Sequence, residues 1–389
     1  MLVPLSNTPR DYAWGSPTLL ADLEGREPSG RREAEVWFGD HPGSSAVVPD
    51  GRTLGEWLAA EGAGTGAPRR LPFLLKLLAA ASALSIQAHP SRDQAIVGHA
   101  REDAAGVPRD APERTYRDQN HKPELIVAIS DTFTALAGLR EIDATRRLVA
   151  MLGSAGRPLA EQLTGPDAAA SLRGAIGWLL SGTAQDDVDA MIAAAGAAAE
   201  GGGEFAGELA LVGRLAAGSA RDPGVVVALL MNLVTIRRGE GIFVPAGMLH
   251  AYLEGLGVEL MAASDNVLRG GLTPKHIDVG ELLAVLDPTP GAVPIVHPEE
   301  LADGVSRYAT PVQDFSLMRV VVGPQHPARL VISGAAIVLA TAGSVEVRGD
   351  RSADTVVLTP GRAVFASPDE ARLHFSGSGE VFLAQPGAD

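Results

Sequence analysis

The sequence predicts a mainly β protein of two β units, with an α-helical unit inserted into the first. Residues 1–140 and 223–290 consist of short apolar stretches broken by turn residues, as in AEVWFGDHPGSSAVVPDG, which favours short strands over long helices. Residues 141–222 are rich in Ala and Leu, with Asp before and Gly after the apolar segments, as is typical of helices. Residues 291–389 return to short strands at near-regular spacing, which indicates an antiparallel barrel or sandwich.

Composition narrows the classes of function. The 389 residues exceed the usual size of one hydrophobic core, so two or three structural units are expected. The formal net charge of -15 opposes binding to nucleic acid or anionic membranes, and an anionic substrate must be held by a local basic cluster. The chain has no cysteine, so a metal site would use His, Glu, Asp or Gln. Without a signal-like start or a run of about 20 apolar residues, we expect a cytoplasmic protein.

The first β unit contains an ambiguous segment, LPFLLKLLAAASALSIQAHP. Its length would suit a helix, but apolar and polar residues alternate from Leu84 to His89, which predicts a strand at that end. Gln87 and His89 then lie on one face and could share a metal ion. The alternative is a hydrogen-bonded polar pair that faces solvent.

The helical unit is predicted from DAAASLRGAIGWLLSG, DDVDAMIAAAGAAAE and GEFAGELALVGRLAAG. The glycines at 201–203 are predicted to form a loop between two helices. A further apolar segment, VVVALLMNLV, is expected to be helical before the chain returns to strands.

Two further residues are candidate metal ligands. His250 ends GEGIFVPAGMLH, a strand that turns a tight corner, and this pattern resembles the second metal motif of cupins, which are small jelly-roll barrels. The alternative is a purely structural corner. Glu124 opens an apolar strand in NHKPELIVAIS, where an unpaired charge is costly. The alternative there is a solvated turn that also contains His121 and Lys122.

Together, Gln87, His89, Glu124 and His250 offer two imidazoles, a carboxylate and an amide oxygen, a mixture that suits zinc with positions left open. Nickel, cobalt or iron could occupy the same ligands.

Ionisable groups also cluster in GVELMAASDNVLRGGLTPKHIDV. Glu259 alternates with apolar neighbours and is predicted to point inward. Arg269 and Lys275 flank a flexible turn and could bind a phosphate. Surface salt bridging is the alternative for both cations.

Several segments in the same order resemble class I, zinc-dependent mannose-6-phosphate isomerases of the cupin superfamily. The matching stretches are DYAWGS, AEVWFGDHP, LPFLLKLLAAASALSIQAHP, DQNHKPE, GIFVPAGMLHAY and ELMAASDNVLRGGLTPKHIDV. The resemblance implies a bicupin, with two jelly-roll β-barrels and a helical domain, and one zinc ion per chain on the four ligands above. It makes Arg269 an essential catalytic residue, and it implies that the substrate pocket is lined by Lys76, His121, Lys122, Glu259 and Asp265. The C-terminal barrel lacks the Pro-to-His spacing and is expected to hold no metal.

The resemblance implies reversible isomerisation of mannose 6-phosphate and fructose 6-phosphate through a metal-stabilised enediol or enediolate. We expect Glu259 to carry the proton, because partial burial can raise the pKa of a carboxylate towards neutrality, with His121 and Asp265 as rivals. Arg269 would stabilise the developing negative charge. Lys122 would assist ring opening or bridge the sugar oxygens. Lys275, with Ser85, would anchor the phosphate, and Lys76 would also contact the substrate.

Three other functions remain open from the sequence. One is an isomerase of a related hexose on the same scaffold. Another is a metal-cupin that binds sugar or regulates without turnover, which would not need an inward proton carrier. A structural bicupin would leave the charges between Glu259 and Lys275 unexplained. We expect a monomer.

Overall fold

The strands form two antiparallel sheets, of ten and nine strands, in the computed structural model, which describes residues 1–387. Numbered along the chain, the ten-stranded first sheet comprises β2 (Glu35–Phe38), β3 (Phe73–Ala80), β4 (Ile86–Ala88), β5 (Glu124–Ala128), β6 (Thr132–Leu139), β7 (Met231–Arg237), β8 (Gly241–Val244), β9 (His250–Ala262), β10 (Leu268–Gly271) and β11 (Ile295–Val296). The nine-stranded second sheet comprises β1 (Leu2–Leu5), β12 (Pro298–Ala302), β13 (Val305–Tyr308), β14 (Ser316–Val322), β15 (Ala328–Val331), β16 (Ala336–Gly349), β17 (Val356–Leu358), β18 (Ala363–Ala366) and β19 (Arg372–Gln385).

Most of the helical residues lie between the strands β6 and β7, as the Ala- and Leu-rich texture predicts. The helices, in chain order, are α1 (Leu19–Glu24), α2 (Leu54–Ala60), α3 (Arg92–Ala104), α4 (Ile142–Ala150), α5 (Arg157–Gln162), α6 (Ala168–Leu180), α7 (Gln185–Glu200), α8 (Ala206–Gly218), α9 (Gly224–Val227) and α10 (Val279–Val285). The glycines at 201–203 join α7 to α8, so the predicted loop is confirmed. Among residues 1–387, no helix is both long and apolar enough to cross a lipid bilayer.

The strand β9 is the centre of the first sheet. Its first half pairs with β4 and β6, and its second half pairs with β3 and β5. This register places Gln87 opposite His250 and Lys76 opposite Glu259. Directly opposed residues have Cβ atoms about 5 Å apart, so the pairing brings these side chains together.

An extra residue in β9 changes which side chains face inward. Tyr252 pairs with Ala135, but Glu254 rather than Leu253 pairs with the preceding residue of β6, which is the signature of a β-bulge. A shift of one residue exchanges the two faces of a strand. The even-numbered Tyr252 before the bulge and the odd-numbered Glu259 after it therefore line the same cavity.

Two segments differ from their predicted structure. VVVALLMNLV is helical only over Gly224–Val227 and a short 3₁₀ turn, and from Met231 it becomes β7, because pairing with β6 outweighs local helix propensity. In the first β unit, where short strands were expected, α3 extends for 13 residues behind a capping box of Ser91 and Gln94.

The ambiguous apolar run is the strand β3, buried along its whole length, which removes the alternation by which a strand is recognised.

Two short strands pair outside the unit in which their position along the chain would place them. The strand β1 pairs with β18 in the second sheet, and β11 pairs with β8 in the first. A shared core that includes Phe38, Leu75, Tyr308, Phe315 and Ile337 lies between the two sheets. The predicted class, mainly β with inserted helices, is confirmed. In residues 1–387 the strand pairings describe two extended sheets without closing either into a barrel.

We expect Gly255→Ala to destabilise the fold by about 2–3 kcal/mol. Gly255 follows the bulge with φ of 128°, and an added Cβ would lie 2.8 Å from Phe133 Cδ2 and 2.9 Å from the Thr132 carbonyl oxygen. Urea denaturation measures the change in the free energy of unfolding. Gly213→Ala, in the interior of α8 with no atom near the new Cβ, is the control and should stabilise by about 0.5–1 kcal/mol. Equal stability of the Gly255→Ala variant and the parent chain would contradict the argument.

Candidate active site

A cavity of about 990 Å³ opens between the first sheet, the helix α8 and the segment 265–275. Nine of the residues singled out from the sequence line it: Lys76, Ser85, Gln87, Lys122, Glu124, Glu259, Asp265, Arg269 and Lys275. His89 and His250 lie behind this wall, almost completely buried. Residues that are almost 200 positions apart in the sequence, such as Lys76 and Lys275, thus line the same cavity.

Three buried side chains in the wall point their ligand atoms at one place. One donor atom each from His89, Glu124 and His250 lies within 4.8 Å of the other two. Nε2 of His89 is 3.2 Å from one carboxylate oxygen of Glu124, and Nε2 of His250 is 3.3 Å from the other. Two imidazoles and a carboxylate are ligands that zinc prefers.

The hydrogen bonds of the two imidazoles leave the correct nitrogen atoms available for a metal. Nδ1 of His89 is 2.7 Å from the backbone oxygen of Asn266, which can only accept, so Nδ1 carries the proton. Nε2 is buried without a hydrogen-bond partner among the described residues. Burial and the nearby Lys122 cation lower the pKa of His89 to about 4, so its imidazole is neutral at pH 7. A buried, neutral imidazole with a free lone pair fits a metal and is otherwise costly.

The tight corner before β9 positions the imidazole of His250 next to His89 and Glu124. Gly247 turns the chain with φ of 80°, and the carbonyl oxygen of Met248 lies 3.3 Å from Nδ1 of His250. Gln87, opposite on β4, has its amide nitrogen 3.3 Å from Nε2 of His250. Rotating the amide by 180° would present its oxygen there instead, so Gln87 can supply the fourth ligand.

Glu124 is ionised in this buried setting. Burial would raise the pKa of its carboxyl group, but the Lys122 cation and both imidazoles hold the pKa well below the usual value. Nζ of Lys122 is 2.9 Å from Oε1 of Glu124. The hydroxyl group of Tyr252 donates to the other oxygen over 3.3 Å. A carboxylate ready to bind a cation therefore lies at the cavity wall.

A second buried charge pair lies at the base of the cavity. Nζ of Lys76 is 2.9 Å from Oε2 of Glu259 and 3.9 Å from Oε1 of Glu35. Burial raises the pKa of the Glu259 carboxyl group, and the Lys76 cation opposes that rise. Burial alone would lower the pKa of Lys76, but the two carboxylates raise it above its usual value, so the ammonium group stays charged. Glu259 is thus a carboxylate that takes up a proton more readily than an exposed one.

Arg269 and Lys275 form a cationic region without matching acids. Burial lowers the pKa of both groups. The Arg117 cation lowers both pKa values further, and the Arg269 cation also lowers the pKa of Lys275. Within residues 1–387, no carboxylate forms an ion pair with any of the three. In a chain of net charge -15, such a cluster points to an anionic ligand.

Two of the predicted catalytic residues have other partners. The carboxylate of Asp265 faces the cavity, but His41 Nε2 lies 3.1 Å away and lowers the pKa of Asp265. His121 does not line the cavity: its Nε2 is 2.7 Å from Oδ2 of Asp314, in the chain that leads into β14. The structure therefore brings together all the sequence-predicted residues except His121.

Sequence reasoning missed several residues that line the cavity. Tyr252 lies two positions after His250, and this spacing on a strand was a usable signal. Trp14 and Trp37 form part of the wall, and Arg214 reaches it from α8. The lysines offer a further signal: the sequence has three, and all of them line this cavity, whereas arginine serves every other basic position. All three lysine ammonium groups of the sequence thus lie where a compact charge with a titratable proton can act on a bound molecule.

Known proteins are similar over the entire chain. Residues 2–142 match the family described as phosphomannose isomerase type I, catalytic domain. The mannose-6-phosphate isomerase of Salmonella typhimurium is 35% identical over 97% of this chain and 97% of its own length. The human enzyme of that name is 30% identical over 95% of this chain and 94% of its own. A crystal structure of zinc-bound mannose 6-phosphate isomerase superposes with a TM-score of 0.88 at 32% identity, covering 100% of both chains.

We expect Glu124→Gln to weaken zinc binding by about 100-fold or more, because it replaces the anionic ligand oxygen with a neutral amide, a loss no smaller than that of a group that supports a ligand. Competition with a chromophoric chelator measures the dissociation constant. Glu254→Gln, an exposed position on the same cavity, is the matched control and should leave it unchanged. Equal zinc affinity in the Glu124→Gln and Glu254→Gln variants would show that the metal binds elsewhere.

Proposed function

This chain belongs to the type I mannose-6-phosphate isomerase family, and from that premise we propose that it interconverts mannose 6-phosphate and fructose 6-phosphate with zinc as its metal. One observation carries the proposal. The buried ligand atoms of His89, Glu124 and His250 converge at the Glu124 wall of the cavity, and the unmatched cations Arg269 and Lys275 line the same cavity. A metal site beside an anion site is what an isomerase of a phosphorylated sugar requires.

We propose that Gln87, His89, Glu124 and His250 hold the zinc ion. Zinc, when bound, supplies Lewis-acid stabilisation of negative charge that develops on the substrate oxygens. The chain's part is to orient the two imidazoles, through the hydrogen bonds of their Nδ1 atoms. Tyr252 and Lys122 hold the Glu124 carboxylate in place from either side.

We propose that the two free cations act at opposite ends of the substrate. Arg269 pairs with Gln87 in the register of β10 and β4, so it lies next to the metal ligands and can stabilise charge near C1 and C2. Lys275 lies six residues further on, beyond the turn, and together with Ser85 it suits the remote phosphate group. This arrangement favours a sugar phosphate over a neutral sugar.

For the proton transfer, Glu259 is the better of the two predicted carriers that line the cavity, Glu259 and Asp265. Its carboxylate would take the proton from C2 of the open-chain aldose and return it to C1, while a second proton moves from the C2 oxygen to the C1 oxygen. Burial raises the pKa of Glu259, which favours uptake, whereas His41 lowers that of Asp265. Lys122 is the acid available for ring opening. His121, outside the cavity, has no direct part in this scheme.

The broader setting is also proposed. We infer a monomeric cytoplasmic enzyme whose partner is a small sugar phosphate and not nucleic acid or a membrane, in line with the acidic net charge. We propose that it consists of a catalytic cupin unit (1–140 with 223–290), a helical insertion (141–222) and a cupin-like C-terminal unit (291–389), with jelly-roll topology in both cupin units. By position along the chain β1 belongs to the catalytic unit and β11 to the C-terminal unit, but each of them pairs in the sheet of the other unit.

A coupled assay for fructose 6-phosphate tests the reaction directly. The purified chain should convert mannose 6-phosphate, lose that activity on chelation, and regain it with zinc, since the ligand set is built for a divalent cation. Mannose without its phosphate should react far more slowly, because Lys275 then has no ligand. A metal-bound chain that turns over neither sugar would favour the binding-protein alternative.

Arg269 and Lys275 should differ in their kinetic effect. We expect Arg269→Ala to lower kcat by about 100- to 1000-fold, as loss of a group that stabilises transition-state charge does. Lys275→Ala should mainly raise KM for mannose 6-phosphate, by about 10- to 100-fold, because it removes one charge-assisted hydrogen bond. Lys275→Arg should recover part of the loss. Arg307→Ala, which breaks an exposed ion pair with Glu299, controls for charge removal. The reverse kinetic pattern would overturn these two assignments.

A further inference from the structure

The carboxylate of Asp314 contacts two segments of the chain that each contain a proposed metal ligand. Oδ2 is 2.7 Å from Nε2 of His121, and Oδ1 is 2.9 Å from Nη2 of Arg92. His121 precedes Glu124 by three residues, and Arg92 follows His89 by three residues. One carboxylate therefore ties the His89 segment to the Glu124 segment. We propose that Asp314 is a positioning residue for the zinc ligands, an inference that rests on the proposed function.

The segment that carries His121 transmits this contact to the cavity. Residues 121–123 lead directly into β5, and alternate side chains of an extended segment point to opposite sides. Lys122 and Glu124 line the cavity, whereas His121 does not. Holding His121 from the outer side therefore fixes the direction in which Lys122 and Glu124 enter the cavity.

The other segment is held through the start of α3. Ser91 and Gln94 form a capping box there, and the carbonyl oxygen of His89 accepts from the backbone N–H of Gly247, so both ends of the segment from His89 to Arg92 are held. The side chain of Arg92 is 54% exposed and that of Asp314 11% exposed, so Asp314 is the better-fixed partner of the pair. The salt bridge orients the segment rather than adding much stability.

Asp314 itself is held by the core that the two sheets share. The next residue, Phe315, is 1% exposed, and Leu317 in β14 is completely buried against the first sheet. Asp314 is also the only carboxylate that forms an ion pair with His121 within residues 1–387. The second sheet, which supplies no residue to the cavity, thereby acquires a part in the activity: it provides a rigid support for the ligands.

The test compares Asp314→Ala and Asp314→Asn with Asp303→Ala. Asp303 forms a similar but exposed pair with His326 in the same part of the chain, at 3.2 Å, and serves as the matched control. Zinc dissociation constants come from chelator competition, and kcat and KM from the isomerase assay. Thermal unfolding of the metal-free proteins identifies any variant that does not fold.

We expect both Asp314 variants to weaken zinc binding by about tenfold, with Asp314→Asn the milder, in line with the effect of groups that orient ligands. At saturating zinc, kcat should fall while KM changes less than twofold, because Lys275 and Ser85 are untouched. In a His121→Ala background, Asp314→Ala should add much less than it does alone. The Asp303→Ala variant should match the parent chain.

Unchanged zinc affinity in a folded Asp314→Asn variant would overturn the inference, as would fully additive effects of the His121 and Asp314 substitutions. The zinc measurement needs no substrate. If the parent chain binds zinc but does not isomerise mannose 6-phosphate, the proposed function fails, and the role of Asp314 is still decided by the dissociation constants.

Discussion

The register of β9 is the constraint on which the site depends. Four strands pair with it, and the register opposes Gln87 to His250 and Lys76 to Glu259. Because successive side chains of a strand face opposite sides, a slip of β9 by one residue would turn His250 and Glu259 away from the cavity and from their partners. The bulge near Tyr252 makes such an exchange of faces once, inside the strand, so that one strand contributes both to the candidate metal site and to the Lys76–Glu259 charge pair.

Electrostatics explains why these groups can share one cavity. Burying His89, Glu124 and His250 together is unfavourable unless a cation satisfies the converging lone pairs, and the half-buried charge of Arg269 is likewise unfavourable without an anion. The two halves of the site are therefore complementary in sign to a metal and to a phosphate. In a chain of net charge -15, the Arg269 and Lys275 end of the cavity supplies the local cations that an anionic substrate requires.

Much of the fold and of the candidate site could be predicted from the sequence, and the physical reason differs from residue to residue. Gln87 with His89, and the corner before His250, are local patterns, and local patterns fix side-chain direction over a few residues. The strand β7 was mistaken for a helix, because its pairing with β6 is a non-local contact that propensity does not encode. The partner of His121 could not be foreseen, since Asp314 lies 193 positions away, in the segment that leads into the second sheet.

The central claim is that one zinc ion binds where Gln87, His89, Glu124 and His250 meet. Anomalous diffraction from crystals of the zinc-loaded chain, recorded on both sides of the zinc absorption edge, tests it most directly. The account predicts a single strong peak about 2.0–2.2 Å from Nε2 of each imidazole and from the oxygens of Glu124 and Gln87. A peak at any other set of residues, or an imidazole left outside the coordination sphere, would contradict it.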